Sequence, residues 1–197
     1  MSDPPVMVPD ILAEFLEFVN DMAGTHYFCT LGLWEVRRKQ EELVKSLPPK
    51  DDRRAILSAS SFGEGPLRLY GTWKMDELIE KKLGRDGEFS VRLGRLWVTE
   101  IYGWWDSRYR KHIAGVLGKE PTQFFCDEIG DLRLMRDDIL HNRSRASLGK
   151  TGRCISLRWF GPNDPIRITT EHVLEFNQKM GVNVAGWIRT AMALRGE

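Results

Sequence analysis

Apolar residues recur at every third or fourth position through much of this chain, the spacing of helices that bury one face. Ile11, Leu12, Phe15, Leu16, Val19 and Met22 follow Pro9-Asp10, which predicts a capped helix start. A second helix is predicted over 31–47, with Val36, Gln40, Leu43, Val44 and Leu47 along one face and Pro48-Pro49 as its stop. A short third helix is placed after Asp51, a Ser/Gly loop over 58–65, and a helix over 74–83 that Gly84 and Gly87 interrupt. Residues 67–72 stay open between strand and extended connection. The clearest stripe runs over 88–117, through Leu93, Trp97, Ile101, Trp104, Trp105, Tyr109, Ile113 and Val116. It predicts a central core helix whose tryptophans pack rather than stack on a ligand.

Gly118 ends that helix, and Pro121 opens the next, over 121–142, with Phe125, Ile129, Leu132, Met135 and Ile139 as its apolar set. After a basic loop, the runs Cys154 to Phe160 and Ile166 to Thr169 flank Gly161-Pro162-Asn163-Asp164-Pro165, a hairpin pattern. Thr169 or Thr170 caps a last helix that begins with Glu171. The expected fold class is therefore mainly α: a helical bundle with one small β-hairpin near residues 154–169 and extra N-terminal helices. No repeat or linker divides the chain, so residues 1–197 are taken as one domain, with 1–85 an N-terminal helical extension and 88–195 the core.

Composition narrows the class. The longest run free of Asp, Glu, Lys and Arg, Met22 to Trp34, is far too short to span a bilayer, and the N-terminus has no secretory pattern. A cytoplasmic location is expected. Cys29, Cys126 and Cys154 stand apart without a C-x-x-C, which fits reduced thiols and neither disulfides nor structural zinc. The net charge of +1 conceals an asymmetry, because residues 1–90 carry 12 basic and 16 acidic groups and residues 91–197 carry 17 and 12. Residues 132–158 hold seven Lys or Arg against Asp137 and Asp138, which makes a polyanion the expected partner class.

Few motifs survive scrutiny. Gly149-Lys150-Thr151 lacks the earlier glycine of a phosphate loop, Ser144 standing in its place. His26 and Cys29 have helical ligand spacing but nothing completes a metal set, so they read as an unrelated loop pair; His112 and His172 read as helix-surface residues. The informative stretch is Gly130 to Arg143, where a helix ends in acidic, His and Arg groups. On physics alone it reads as a solvated helix end, with Arg133 and Asp137 an i, i+4 pair, Asp138 and His141 an i, i+3 pair, and a histidine complementing the helix dipole.

Arg136, four intervening residues and His141, preceded by Asp131-Leu132-Arg133-Leu134-Met135 and followed by Asn142, resemble the motif of the HEPN (higher eukaryotes and prokaryotes nucleotide-binding) family. Asp137 fills the polar position after the arginine. The long helix bearing Trp97, Glu100 and Trp104, the motif helix, the hairpin and the closing helix resemble family members over roughly residues 90–180; residues 1–85 have no counterpart. The resemblance implies a bundle that dimerises through its motif helices and, in active members, a metal-independent endoribonuclease of toxin, stress-response or phage-defence type. It gives Arg136 and His141 the catalytic positions and Asp137 a supporting one. It implies no cofactor, RNA as substrate, a homodimer, and a possible antitoxin or defence-system partner protein. The tyrosine of one toxin subgroup's His-x-Tyr is Arg143 here, so regulation through that tyrosine has no support.

RNA cleavage without metal needs a group that moves a proton and a cation that steadies phosphorane charge. His141 and Arg136 are of those types, with the acid or base role of His141 left open. Arg133, Asn142, Arg143, Arg145 and Lys150 are the candidate RNA-binding residues, which would hold the backbone with little sequence specificity. The alternatives are a catalytically silent HEPN-like module for dimerisation or for binding RNA or a partner protein, and a nucleotide-binding regulator. Arg136 and His141, five residues apart, stand about 140° apart around an ideal helix. Arg136 falls near the apolar stripe and His141 away from it, which favours a site assembled from two chains.

Overall fold

The computed structural model describes residues 8–48, 53–59, 68–84 and 87–195. It is mainly helical with one two-stranded antiparallel sheet, the class expected from the pattern. In chain order the elements are α1 (Val8–Ser46), β1 (Arg54–Ala59), β2 (Arg68–Lys74), α2 (Met75–Glu77), α3 (Glu88–Trp104), α4 (Arg110–Val116), α5 (Asp127–His141) and α6 (Thr170–Arg195). The chain divides into two compact units: residues up to Tyr27 together with Gly94 onward, and Phe28–Leu93.

In the larger unit, Leu12, Phe15 and Val19 of α1 share one core with α3, α4, α5 and α6. Rings dominate it: Phe15 lies 5.1 Å from Trp105 and 4.9 Å from Tyr109, and Trp97 meets Phe176 edge-on at 5.2 Å. Trp97 and Trp105 are core residues as expected, whereas Trp104 is exposed. Trp97, Ile101, Trp105, Tyr109 and Ile113 are all buried although they stand four apart. On an unbroken α-helix each such step overshoots a turn by about 40°, so the stripe would wind off the core. Between α3 and α4 the helix widens to a π turn at Trp105–Tyr109, whose i→i+5 bonding absorbs part of that drift. Gly94 lets α3 touch the segment before α6, since a Cβ there would stand 2.5 Å from the Ile168 carbonyl oxygen.

The smaller unit has its own apolar cluster, Met75, Leu78 and Leu83, with Leu33, Val44, Trp73 and Phe89 against it. Arg53 closes the end of α1 by donating from Nη1 to the Val44 carbonyl at 2.9 Å and from Nη2 to the Leu47 carbonyl at 3.1 Å.

Several local expectations change. The first two predicted helices are one, because Gly24 weakens a helix without stopping it as proline does, and charged pairs such as Arg37–Glu41 and Arg38–Glu42 support its later turns. His26 and Cys29 are therefore helical, not a loop pair; His26 is buried, and burial pushes its pKa down. The segment after Asp51 is strand from Arg54, which pairs with Lys74, so Ser58 and Ala59 are strand and not loop; residues 60–65 of that predicted loop lie outside the described residues. The hairpin is thus at 54–74. Residues 154–169 contribute only an isolated bridge, Arg145 to Pro165, because a buried carboxylate takes the amides a strand ladder would use. Pro121 opens a 3-10 turn, Pro121–Gln123, and α5 starts only at Asp127, which leaves Phe125 off the helix and 77% exposed.

Candidate functional site

α5 carries every residue of the motif, and its neighbours divide it into two faces. Asp131 and Asp138 are seven residues apart, nearly two full turns, so they flank Met135 on the buried side. The Asp131 carboxylate accepts from the amides of Ile155 (3.0 Å), Ser156 (2.7 Å) and Leu157 (2.7 Å). Asp138 accepts from the Ser147 amide (2.8 Å) and hydroxyl (2.8 Å) and from the Thr151 amide (3.1 Å). Burial pushes the Asp138 carboxyl up, but the donors from Ser147 and Thr151 outweigh it and hold the pKa below its ordinary value. Asp138 is thereby engaged with the loop rather than with His141.

The turn that brings this loop back is strained. Arg143 and Ser144 have φ of 50° and 58°, a left-handed pair costing of order 1–3 kcal/mol each. Offsetting bonds run from the Ser144 amide to the Asp138 carbonyl (3.2 Å) and from the Ile166 amide to the Ser144 carbonyl (2.9 Å).

On the other face, Arg136 is half-buried. Its guanidinium carbon lies 5.5 Å from the Tyr102 ring centroid, a cation–π contact, and Nη1 stands 3.6 Å from Asp137. Asp137 thus pairs with Arg136 and not, as expected, with Arg133. The Nε of Arg136 is buried without a partner among the described residues. His141, the last residue of α5, is exposed. Among the described residues no hydrogen bond joins Arg136 to His141, in keeping with their angular separation on the helix.

The outer residues are dispersed, Arg133 on α5 and Asn142, Arg143, Arg145 and Lys150 on the loop after it. Asn142 donates to the Arg145 carbonyl at 2.7 Å, and Arg145 donates to the Asn163 carbonyl at 2.9 Å, so both help to shape the loop. Arg133 and Arg143 are exposed, and Lys150 is half-buried. Asp138 is read from the sequence as a partner of His141 and Asp131 only as motif context; the signal for their shared clamping of the loop is two acids at heptad spacing beside the apolar stripe.

A second polar cluster closes the far side of the loop. Glu128 accepts from Ser156 Oγ and Asn183 Nδ2, each at 2.7 Å, and these bonds prevail over burial to lower its pKa. His172 is not a surface residue: it stacks on Trp159 at 4.6 Å, takes the Thr169 amide on Nδ1 at 3.2 Å, and is shifted down by burial. Burial pushes the thiols of Cys126 and Cys154 up to about 12, so neither is a ready nucleophile.

Among the described residues, no group of three or more His, Cys, Asp and Glu could hold a metal ion, and no helix is long and apolar enough to cross a membrane. Comparison of the chain with protein-family models, with curated proteins and with solved structures finds no match.

Proposed function

We propose that this chain is a metal-independent endoribonuclease of HEPN type, active as a homodimer in a toxin, stress-response or phage-defence setting. The observation that carries the reading is how differently α5 uses its charged groups. Asp131 and Asp138 are consumed by the fold, whereas Arg136 keeps a buried donor to spare and His141 stands exposed. In the reaction, the ribose 2′-oxygen attacks the adjacent phosphorus, the bond to the 5′-oxygen breaks, and the products are a 2′,3′-cyclic phosphate and a 5′-hydroxyl. One proton leaves the 2′-hydroxyl and one reaches the departing oxygen; His141 serves one of these transfers and Arg136 steadies the phosphorane charge. Asp137 orients Arg136. Arg133, Asn142, Arg143, Arg145 and Lys150 face the phosphate backbone.

A second copy supplies what one helix cannot. Leu140 on α5, and Leu148 and Ile155 on the loop that its aspartates anchor, are 50%, 74% and 63% exposed, apolar side chains that a two-fold contact would cover. The separation of Arg136 from His141 also supports the second reading, a silent module for dimerisation or for binding RNA or a partner. Incubation with labelled RNA in excess chelator separates the two. Cleavage by a species of twice the chain mass is the expected result, and a pure protein that leaves RNA intact rejects the ribonuclease.

A further inference from the structure

The larger unit has a concavity that Arg136 and His141 do not line. Tyr102, Arg110, Phe125, Gly130 and Arg133 line a pocket of about 130 Å³ beside the first turns of α5. Its cations outnumber their partners. Arg110 has one carboxylate nearby, Asp106 at 3.7 Å, and Arg133 is exposed with no ion pair among the described residues. Burial and Asp106 raise the Tyr102 phenol above its usual range, while Arg133, Arg110 and Arg136 all act on it in the opposite sense. Three guanidinium groups thus stand within electrostatic reach of one hydroxyl. The rim holds a planar apolar group in water, the ring of Phe125. Above Gly130 an added Cβ would meet nothing within 4 Å, so the helix backbone is open to a ligand.

We propose that this pocket is a nucleotide subsite for RNA: a base stacks on Phe125 and its phosphate lies between Arg110 and Arg133. Its identity as an RNA subsite rests on the ribonuclease reading. Pockets that enclose a whole small ligand are typically about 300–1,000 Å³, so this one takes a single ring or phosphate of a polymer lying across it. Stacking on an aromatic face is tolerant of base identity and guanidinium contacts to phosphate are blind to it, so the subsite positions RNA with little sequence preference. Eight residues of helix separate Arg133 from His141, about 12 Å along the axis. Arg136, however, rests on Tyr102 of the pocket wall, so Phe125, Arg110 and Arg133 are positioning residues for a nucleotide neighbouring the one whose bond is cleaved.

Calorimetric titration of the full chain with adenosine 5′-monophosphate and with inorganic phosphate tests the subsite without any cleavage. The expected result is tighter binding of the nucleotide. Phe125→Ala should weaken nucleotide binding about tenfold and leave phosphate binding unchanged, while Arg133→Gln should weaken both. Both side chains are exposed, so far-UV circular dichroism should show an unchanged fold. Equal binding of nucleotide and phosphate, indifference to Phe125→Ala, or no binding of either overturns the subsite. Intact nucleotide binding with no RNA cleavage would sustain the subsite and reject the ribonuclease. Where RNA is cleaved, Phe125→Ala should raise KM with kcat unchanged, and an unchanged KM would reject the subsite alone.

Discussion

The two faces of α5 are built from the same kinds of residue and put them to opposite uses. On one, Asp131 and Asp138 are almost wholly buried and their carboxylates are filled by amide and hydroxyl donors of the loop that follows. On the other, Arg136 rests on Tyr102 with a donor left over, and His141 ends the helix in solvent. The contrast teaches that polarity on a helix does not by itself mark function. A buried acid with all its acceptors occupied is architecture, and a charged group with bonding capacity left over is the better candidate for chemistry.

Substitutions should separate the faces, and the buried one should respond most. Asp131→Ala or Asp138→Ala strips several buried or part-buried donors of their acceptor, with an expected cost of about 3 kcal/mol or more. Urea titration would show it as a lower midpoint, and a cost under about 1 kcal/mol would break the division. A smaller effect should appear in acid. Because the folded pKa of Asp138 lies below its unfolded value, its contribution is complete at neutral pH. It is lost as pH falls from about 4 through the folded value. Asp138→Asn should flatten stability against pH in that window, and an unchanged slope would assign acid sensitivity elsewhere.

On the open face stability should barely move while activity disappears. Arg136→Ala gives up a partly buried cation–π contact, about 0.5–1 kcal/mol, and should abolish cleavage. Arg136→Lys keeps the charge but not the planar group, and should cleave more slowly than the native chain. The smallest structural effect belongs to His141→Ala, expected to leave the thermal midpoint in place while cleavage is lost. Robust cleavage by that variant would remove histidine from the mechanism.

What could be read in the sequence follows from how far each interaction reaches. The stripe from Trp97 to Ile113 is local, and it identified the central helix, although the π turn that keeps its four-residue spacing facing inward has no sequence mark of its own. The helical positions of Arg136 and His141 were equally legible, because rotation per residue is fixed. The hairpin was misplaced because β-propensity at 154–169 is satisfied there by a carboxylate from α5, more than twenty residues earlier in the chain. Phe125 looked like core because its spacing fits the α5 stripe, yet the 3-10 turn and the extended residues after it reset the helix phase before Asp127.

The carboxylate clamps carry a consequence in time as well as in space. The amides of Ser147, Thr151, Ile155, Ser156 and Leu157 lie in a segment without strand or α-helix, where fast solvent exchange is the usual rule. Their acceptors, however, ride on α5, and they are released only if the helix shifts or the carboxylates let go. In deuterium these amides should therefore exchange at rates close to those of the α5 amides. Loop and helix then open as one cooperative unit, and an irregular stretch of chain inherits the lifetime of the core.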